Sequence, residues 1–370
     1  MRTTSTTTLS ARIMTLFAGL LLAVAACSPG EVSDGAEVTG DLLDHLPAPA
    51  SFLAWADFDA MRASPLSATL IEDEHLFDGN RQEMREMIEA TGIDPVDDLH
   101  ALAVASLVVD GDHIQPVLLA TVDFEQERLL SALQESPTLE YRAYTLYEID
   151  HPTRKAEGKE EGASAEAGEA NPSPTQDEEA TDEQQPAEHG YLVIFNAETL
   201  LLGSEQGVKA AIDVAAGDRS SVTADESLGD LLASVPADSQ AWVVATDRTW
   251  SGELKEWMSE GDNLPVPQKA LQGIKQATFS MRIDEGVNVQ LSGLVASEED
   301  ARLLRDSLQG LLAMGKLMVQ SQRPELFDIL DRSVRIDSEE RRVRLDATLD
   351  GDDLETLRKL AESRYGEKEG

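Results

Sequence analysis

The chain holds a single cysteine among its 370 residues. No internal disulfide can form, so the fold stands on its core alone. Aromatic residues make up 5% of the chain, and 30 basic residues face 70 acidic ones, for a formal charge of −40. Lysine is especially scarce, a bias shared by saline habitats and GC-rich genomes. So acidic a surface repels phosphate backbones and anionic headgroups, which excludes nucleic-acid binding and polybasic docking on membranes. Catalytic signatures are missing too. There is no G-x-S-x-G, no Walker A loop, no G-x-G-x-x-G after a strand and no H-E-x-x-H. The six histidines, His45, His75, His100, His113, His151 and His189, show no metal-ligand spacing and are read as solvated. The apolar run from Ile13 to Ala26 has 14 residues, fewer than the roughly 20 that a membrane-spanning helix needs.

What is present begins with that run. Arg2 and Arg12 precede it, and it ends in Leu22-Ala23-Val24-Ala25-Ala26 immediately before Cys27 and Ser28. The basic, apolar and small-residue order is that of a cleaved leader. Val24-Ala25-Ala26-Cys27 resembles the lipobox of bacterial lipoproteins. The resemblance covers the first 28 or so residues. It implies lipid transfer to the Cys27 sulfur, cleavage before Cys27 and acylation of the new amino group. Several acyl chains, each buried methylene adding about 0.8 kcal/mol, hold a protein on a membrane without a spanning helix. Ser28 in place of an acid after the cysteine implies the outer membrane, facing the periplasm, in a Gram-negative cell.

Residues 1–26 are thus read as the leader and 27–40, rich in Ser, Pro, Gly, Asp, Glu and Thr, as a flexible tether. Residues 151–189 carry 11 acidic and 3 basic side chains and no aromatic. Such a composition buries too little to offset ordering entropy, so a disordered acidic insertion is expected there. It falls between two strand-like runs, Tyr141 to Ile149 and Tyr191 to Asn196.

The remainder reads as two similar units, 41–217 and 218–370. Leu46-Pro47-Ala48 through Trp55-Ala56-Asp57 parallels Val235-Pro236-Ala237 through Val244-Ala245-Thr246, each a turn entering a buried strand. Gly92-Ile93 matches Gly273-Ile274. Hairpins follow, Ala101–Val109 with Val117–Val122 and Ala277–Ile283 with Val287–Val295. Their turns, Asp110-Gly111-Asp112 and Asp284-Glu285-Gly286, are expected to use positive φ. Capping boxes are expected at Asp123/Gln126 and Ser297/Asp300, ahead of Arg128-Leu129-Leu130 and Arg302-Leu303-Leu304. Val208, Ala211 and Val214 match Leu354, Leu357 and Leu360. Each half is predicted to run β-α-α-β-β-α-β-β-α, giving an α+β fold of mainly antiparallel sheet with helices on one face. The body resembles uncharacterised exported bacterial proteins with two such repeats, through Gly92-Ile93-Asp94-Pro95 and Asp98-Leu99 ahead of a hairpin. The second half departs from this with Lys275-Gln276. That resemblance implies no activity.

Other candidates take ordinary roles. Ser204 reads as a helix N-cap. Asp57 and Asp59 read as turn formers, and Glu72-Asp73-Glu74-His75, with Asp78 and Asn80, as a solvated helix end rather than a calcium site. Trp55 and Trp242 are expected in the core, Trp250 and Trp257 on one sealing helix face, and the helix from Leu303 to Val319 as a buried core helix. The sequence therefore predicts a lipid-anchored, non-enzymatic envelope protein, without catalytic residues, metal or cofactor. Its partners would be the membrane, through Cys27, and an envelope protein in an interaction or assembly role. The alternatives are a carrier or sensor of an apolar ligand and a hydrolase with an unrecognised carboxylate site.

Overall fold

A computed structural model of the chain describes residues 42–66, 88–109, 113–149, 190–247, 249, 273–320 and 323–366. The architecture mixes helix and strand around one large antiparallel sheet. Twelve strands run in the order β11-β12-β10-β9-β8-β1-β2-β3-β7-β6-β5-β4. The central pair is β1 (Ala50–Asp57) and β8 (Ala241–Thr246). Outward from β1 lie β2 (Leu99–Val109), β3 (His113–Val122), β7 (Thr199–Ser204), β6 (Gly190–Ile194), β5 (Tyr144–Ile149) and β4 (Thr138–Tyr141). Outward from β8 lie β9 (Ile274–Ile283), β10 (Gly286–Val295), β12 (Arg342–Asp350) and β11 (Val334–Glu339).

Local chemistry sets these elements. β9 and β10 alternate apolar and polar residues, placing Phe279, Met281, Ile283, Val287 and Val289 on one face. The turn between them does not use positive φ at Gly286, contrary to the sequence expectation. Positive φ among non-glycine residues falls instead at Arg142 (54°) and Glu340 (49°), the tips of the β4–β5 and β11–β12 hairpins. Gly286 is small for another reason: a Cβ there would lie 2.3 Å from the Leu349 carbonyl oxygen. The Asp110-Gly111-Asp112 turn lies outside the described residues.

Helices cover both faces of the sheet, not one as expected. On one face, α3 (Glu205–Ala215) and α4 (Glu226–Leu232) pack over Leu53, Trp55, Val117, Leu119, Leu201 and Trp242. Leu42, Leu43 and Leu46 join that cluster. On the other face, α1 (Phe58–Arg62) packs with Ala54, Ala56, Leu102 and Val104, and α2 (Gln126–Ala132) with Val122 and Leu200. There too lie α5 (Glu298–Gln320) and Leu354 of α7 (Gly351–Gly366). α6 (Pro324–Ser333) packs against α5. The run Leu200-Leu201-Leu202 explains the two-sidedness. Leu201 faces α3 while Leu200 and Leu202 face α2, and a strand apolar on both sides needs cover on both.

Candidate functional site

The densest polar arrangement grows from the end of β1. Asp57 closes the strand and caps α1, its side chain accepting from the Ala60 amide at 2.8 Å. It is buried, and burial, the largest influence, pushes its carboxyl up despite that bond. Two residues on, Asp59 pairs with Arg62. Arg62 is itself buried and donates to the Val96 carbonyl at 2.8 Å. Across the sheet surface, His100 of β2 donates from Nδ1 to Asp59 at 3.0 Å, and its Nε2 lies 3.2 Å from Asp123. Burial alone would lower the His100 pKa. The bonds and charges of Asp59 and Asp123 outweigh it, and the imidazole titrates above its ordinary 6.5.

His100 is therefore half-buried between two carboxylates rather than solvated. A lone histidine carries no spacing motif, which is why the sequence reading missed it. It is the second residue of β2, beside the strand partner of Asp57, Ala101. Chemically the arrangement is a charged strut. Both ring nitrogens are engaged, so neither stands open to take a proton from a substrate, as a general base must.

Asp123 departs from expectation for the same reason. It does not cap α2; the N-cap is Glu125, without a side-chain bond, because the Asp123 carboxylate is drawn to His100. The strut rests on a reciprocal turn: the Asp94 amide donates to the Asp98 carboxylate at 2.7 Å, and the Val96 amide to Asp94 at 2.9 Å. The Asp98 carbonyl then accepts from the Asp123 amide at 2.9 Å. Just before it, Gly92 (φ 78°) ends a helical turn whose Ile88 and Glu89 carbonyls accept from Arg128. Arg128 is the arginine of the first Arg-Leu-Leu. Its counterpart Arg302 instead reaches back to Glu298.

Other candidates resolve plainly. Ser204 caps α3, accepting from the Gly207 amide at 3.1 Å. Ser297 caps α5 as expected, the Asp300 amide donating to its hydroxyl at 3.1 Å, but the other half of the box differs: the Asp300 carboxylate accepts from the Ser297 hydroxyl at 2.6 Å rather than from its amide. Trp55 and Trp242 are buried and stacked at 6.3 Å, directly opposite each other in the β1–β8 ladder. His45 lies edge-on to Phe195 at 5.1 Å. The long helix α5 corrects its reading: among its side chains only Ala301 and Leu304 are buried, while Met314, Leu317 and Met318 are 48%, 69% and 69% exposed. An open cleft of about 460 Å³ at the β9–β10 turn is lined by Asp284, Glu285, Asn288, Leu349, Asp350 and Asp352, and mixes polar and apolar surface.

Cys27, the Glu72–His75 cluster, Trp250, Trp257, His151 and His189 lie outside the described residues, as does the His113 side chain. Among the described residues no group of three His, Cys, Asp or Glu side chains could hold a metal ion, and no helix is long and apolar enough to cross a membrane. Comparison with family models, curated proteins and solved structures finds no match for this chain.

Proposed function

We propose that this is a lipid-anchored protein of the bacterial cell envelope that works without catalysis, as a protein-interaction or assembly module. The observation that carries the reading is Cys27 in its setting: two arginines, a 14-residue apolar run and Val24-Ala25-Ala26 directly before the only thiol. The polar cluster around His100 supports it, since both nitrogens of that imidazole serve ion pairs. The carrier alternative drew on the membrane address and on the Leu- and Met-rich helix as the lining of an adaptable groove. In α5, Met314, Leu317 and Met318 lie on an exposed face rather than around an enclosed cavity.

The body is read as two pseudo-repeats, 41–217 and 218–370. Support comes from connectivity. Outward from the central pair, β1-β2-β3-β7-β6 and β8-β9-β10-β12-β11 follow one path, with β4 and β5 added to the first. The approach to each central strand, through Leu42, Leu43 and Leu46 or through Leu231, Leu232 and Val235, packs into the same cluster.

The test is intact mass of the protein taken from its own membranes. A mature mass beginning at Cys27 with diacylglyceryl and acyl groups, lost in Cys27→Ser, is expected. A native mature protein without lipid refutes the anchor. Turnover by the purified body that a single side-chain substitution abolishes refutes the non-catalytic reading.

A further inference from the structure

The ring of His100 has an acid on each nitrogen. Nδ1 lies 3.0 and 3.1 Å from the two oxygens of Asp59, and Nε2 lies 3.2 Å from Asp123. A carboxylate only accepts hydrogen bonds, so each contact needs an N–H from the ring. The imidazolium has two and the neutral imidazole has one. Loss of a single proton therefore leaves a nitrogen lone pair facing a carboxylate, and one of the two contacts must open. That conclusion follows from valence and distance alone.

The two acids are held unequally, which decides the contact that opens. The Asp59 side chain is 17% exposed and is also gripped by Arg62. The Asp123 side chain is 72% exposed, and among the described residues its carboxylate touches only His100. Water accepts that charge at little cost. Neutral His100 therefore keeps its proton on Nδ1, toward Asp59, and releases Asp123. The charges acting on the ring are these two acids. Nearby, Asp57 is occupied by the Ala60 amide, Asp98 by the Asp94 amide and Asp94 by the Val96 amide, so none of them takes the place of Asp123.

A second observation shows where the released carboxylate goes. Asp123 stands three residues before Gln126, the spacing of a capping residue and the amide it caps. Yet α2 starts behind Glu125, which is extended (φ −86°, ψ 107°) and makes no side-chain cap bond. A carboxylate at that position is favoured by the open amides of the first turn and by the helix dipole. An exposed ion pair and a helix cap are of similar strength. The proton on His100 is then enough to decide between them.

We propose that Asp123 is the arm of a proton-operated switch: with His100 charged it holds the ring and ties the β3–α2 corner to α1, and with His100 neutral it swings away to cap α2. In the second state Phe124 and Glu125 become the first turn of a longer α2, and the link from α1 through β2 to the end of β3 is cut. The effect reaches further along the chain. Arg128 of α2 donates to the Ile88 and Glu89 carbonyls, so the start of α2 is coupled to the helical turn that ends at Gly92. Because His100 holds its proton more tightly than a free imidazole, the two states exchange above pH 6.5. The ligand of this device is the proton itself, and the switch goes beyond the anchoring and assembly role.

The test is a pH titration by NMR of the chain from residue 27 onward, carrying Cys27→Ser, which leaves every described residue in place. Imidazole nitrogen shifts, with the His100 signal assigned by its loss in His100→Gln, report the ring. Below the midpoint both nitrogens are expected to carry protons; above it the proton should remain on Nδ1. The Glu125 and Gln126 amides should shift with the same midpoint, and above it their hydrogen exchange should slow about fivefold, the effect of an ordinary cap. Carbon shifts of Phe124 and Glu125 should move toward helix in step. Asp123→Ala should lower the His100 midpoint and abolish the amide titration. His100→Gln should hold those amides in their alkaline positions at every pH above the carboxylate range. A neutral ring protonated on Nε2, amides that ignore the His100 titration, or an amide titration that survives Asp123→Ala overturns the proposal. The ring tautomer and the amide midpoints are read in the chain with His100 and Asp123 intact, so the outcome does not depend on how either variant folds.

Discussion

Removing either tryptophan of the central pair tests how the two sides of the sheet are joined. Trp55 and Trp242 are 5% and 6% exposed and stand opposite each other where β1 meets β8. Truncating a buried tryptophan to alanine costs about 3–5 kcal/mol. The two losses differ in kind, because the Trp55 indole N–H is buried without a hydrogen-bond partner. An orphaned buried donor costs about 1–3 kcal/mol, and Trp55→Ala relieves that cost as it opens a cavity. Trp55→Ala is therefore expected at the low end of the range and Trp242→Ala higher. Ring contact at 6.3 Å and 27° adds about 0.5–1.5 kcal/mol beyond area burial. The double variant should accordingly be less destabilised than the sum of the singles by that amount. Urea unfolding followed by far-ultraviolet circular dichroism measures all three without relying on tryptophan emission. Strict additivity, or a Trp55→Ala cost above that of Trp242→Ala, would refute the reasoning.

Three further outcomes are expected. His100 holds its proton more tightly in the folded state, so its stabilising effect is complete below pH 6.5 and fades as pH rises through the raised folded value. His100→Gln should remove that slope, measured as the difference between the two proteins' melting temperatures from acid to alkaline pH. Gly92→Ala should destabilise by more than about 1 kcal/mol in a thermal melt, since φ is 78° and the new Cβ would lie 2.7 Å from the Arg128 guanidinium. Deleting Glu157–Glu188 should leave the melting temperature unchanged or slightly raised. Ile149 and Gly190 already pair across β5 and β6, and a shorter loop lowers closure entropy. A fall of several degrees would show that the deleted segment packs.

The parts of the fold legible in the sequence are those with local causes. The β9–β10 hairpin announces itself through the alternation of Phe279, Met281 and Ile283 with Val287 and Val289, and the Ser297 and Ser204 caps through their spacing. The β1–β8 pairing could not be read, because strands distant in the chain leave no mark on each other's sequence beyond both being apolar. α5 was misread for a subtler reason. Counting its Leu and Met residues suggests burial, but their angular positions divide between two sides of the helix, and only one side meets the sheet. His100 was missed because an ion-pair strut is assembled from α1, β2 and the end of β3, three elements whose proximity only the sheet order reveals. The same order explains Asp123, which reads as a cap by spacing but is claimed by the imidazole beside it.

The position of β1 also carries a consequence for biosynthesis. Among the described strands β1 is the first to leave the ribosome, and it is buried or nearly so at every residue from Ala50 to Asp57. One edge can pair with β2 soon afterwards. The other waits for β8, whose residues follow only after the whole acidic insertion and the β6–β7 hairpin have been made. At ordinary synthesis rates that interval is on the order of ten to forty seconds. Throughout it the nascent chain presents an open, apolar strand edge, the feature most prone to join a neighbouring chain. A solubilising acidic stretch between the two strands would then serve the unfinished protein rather than the finished one, keeping the first half dispersed until its partner strand arrives.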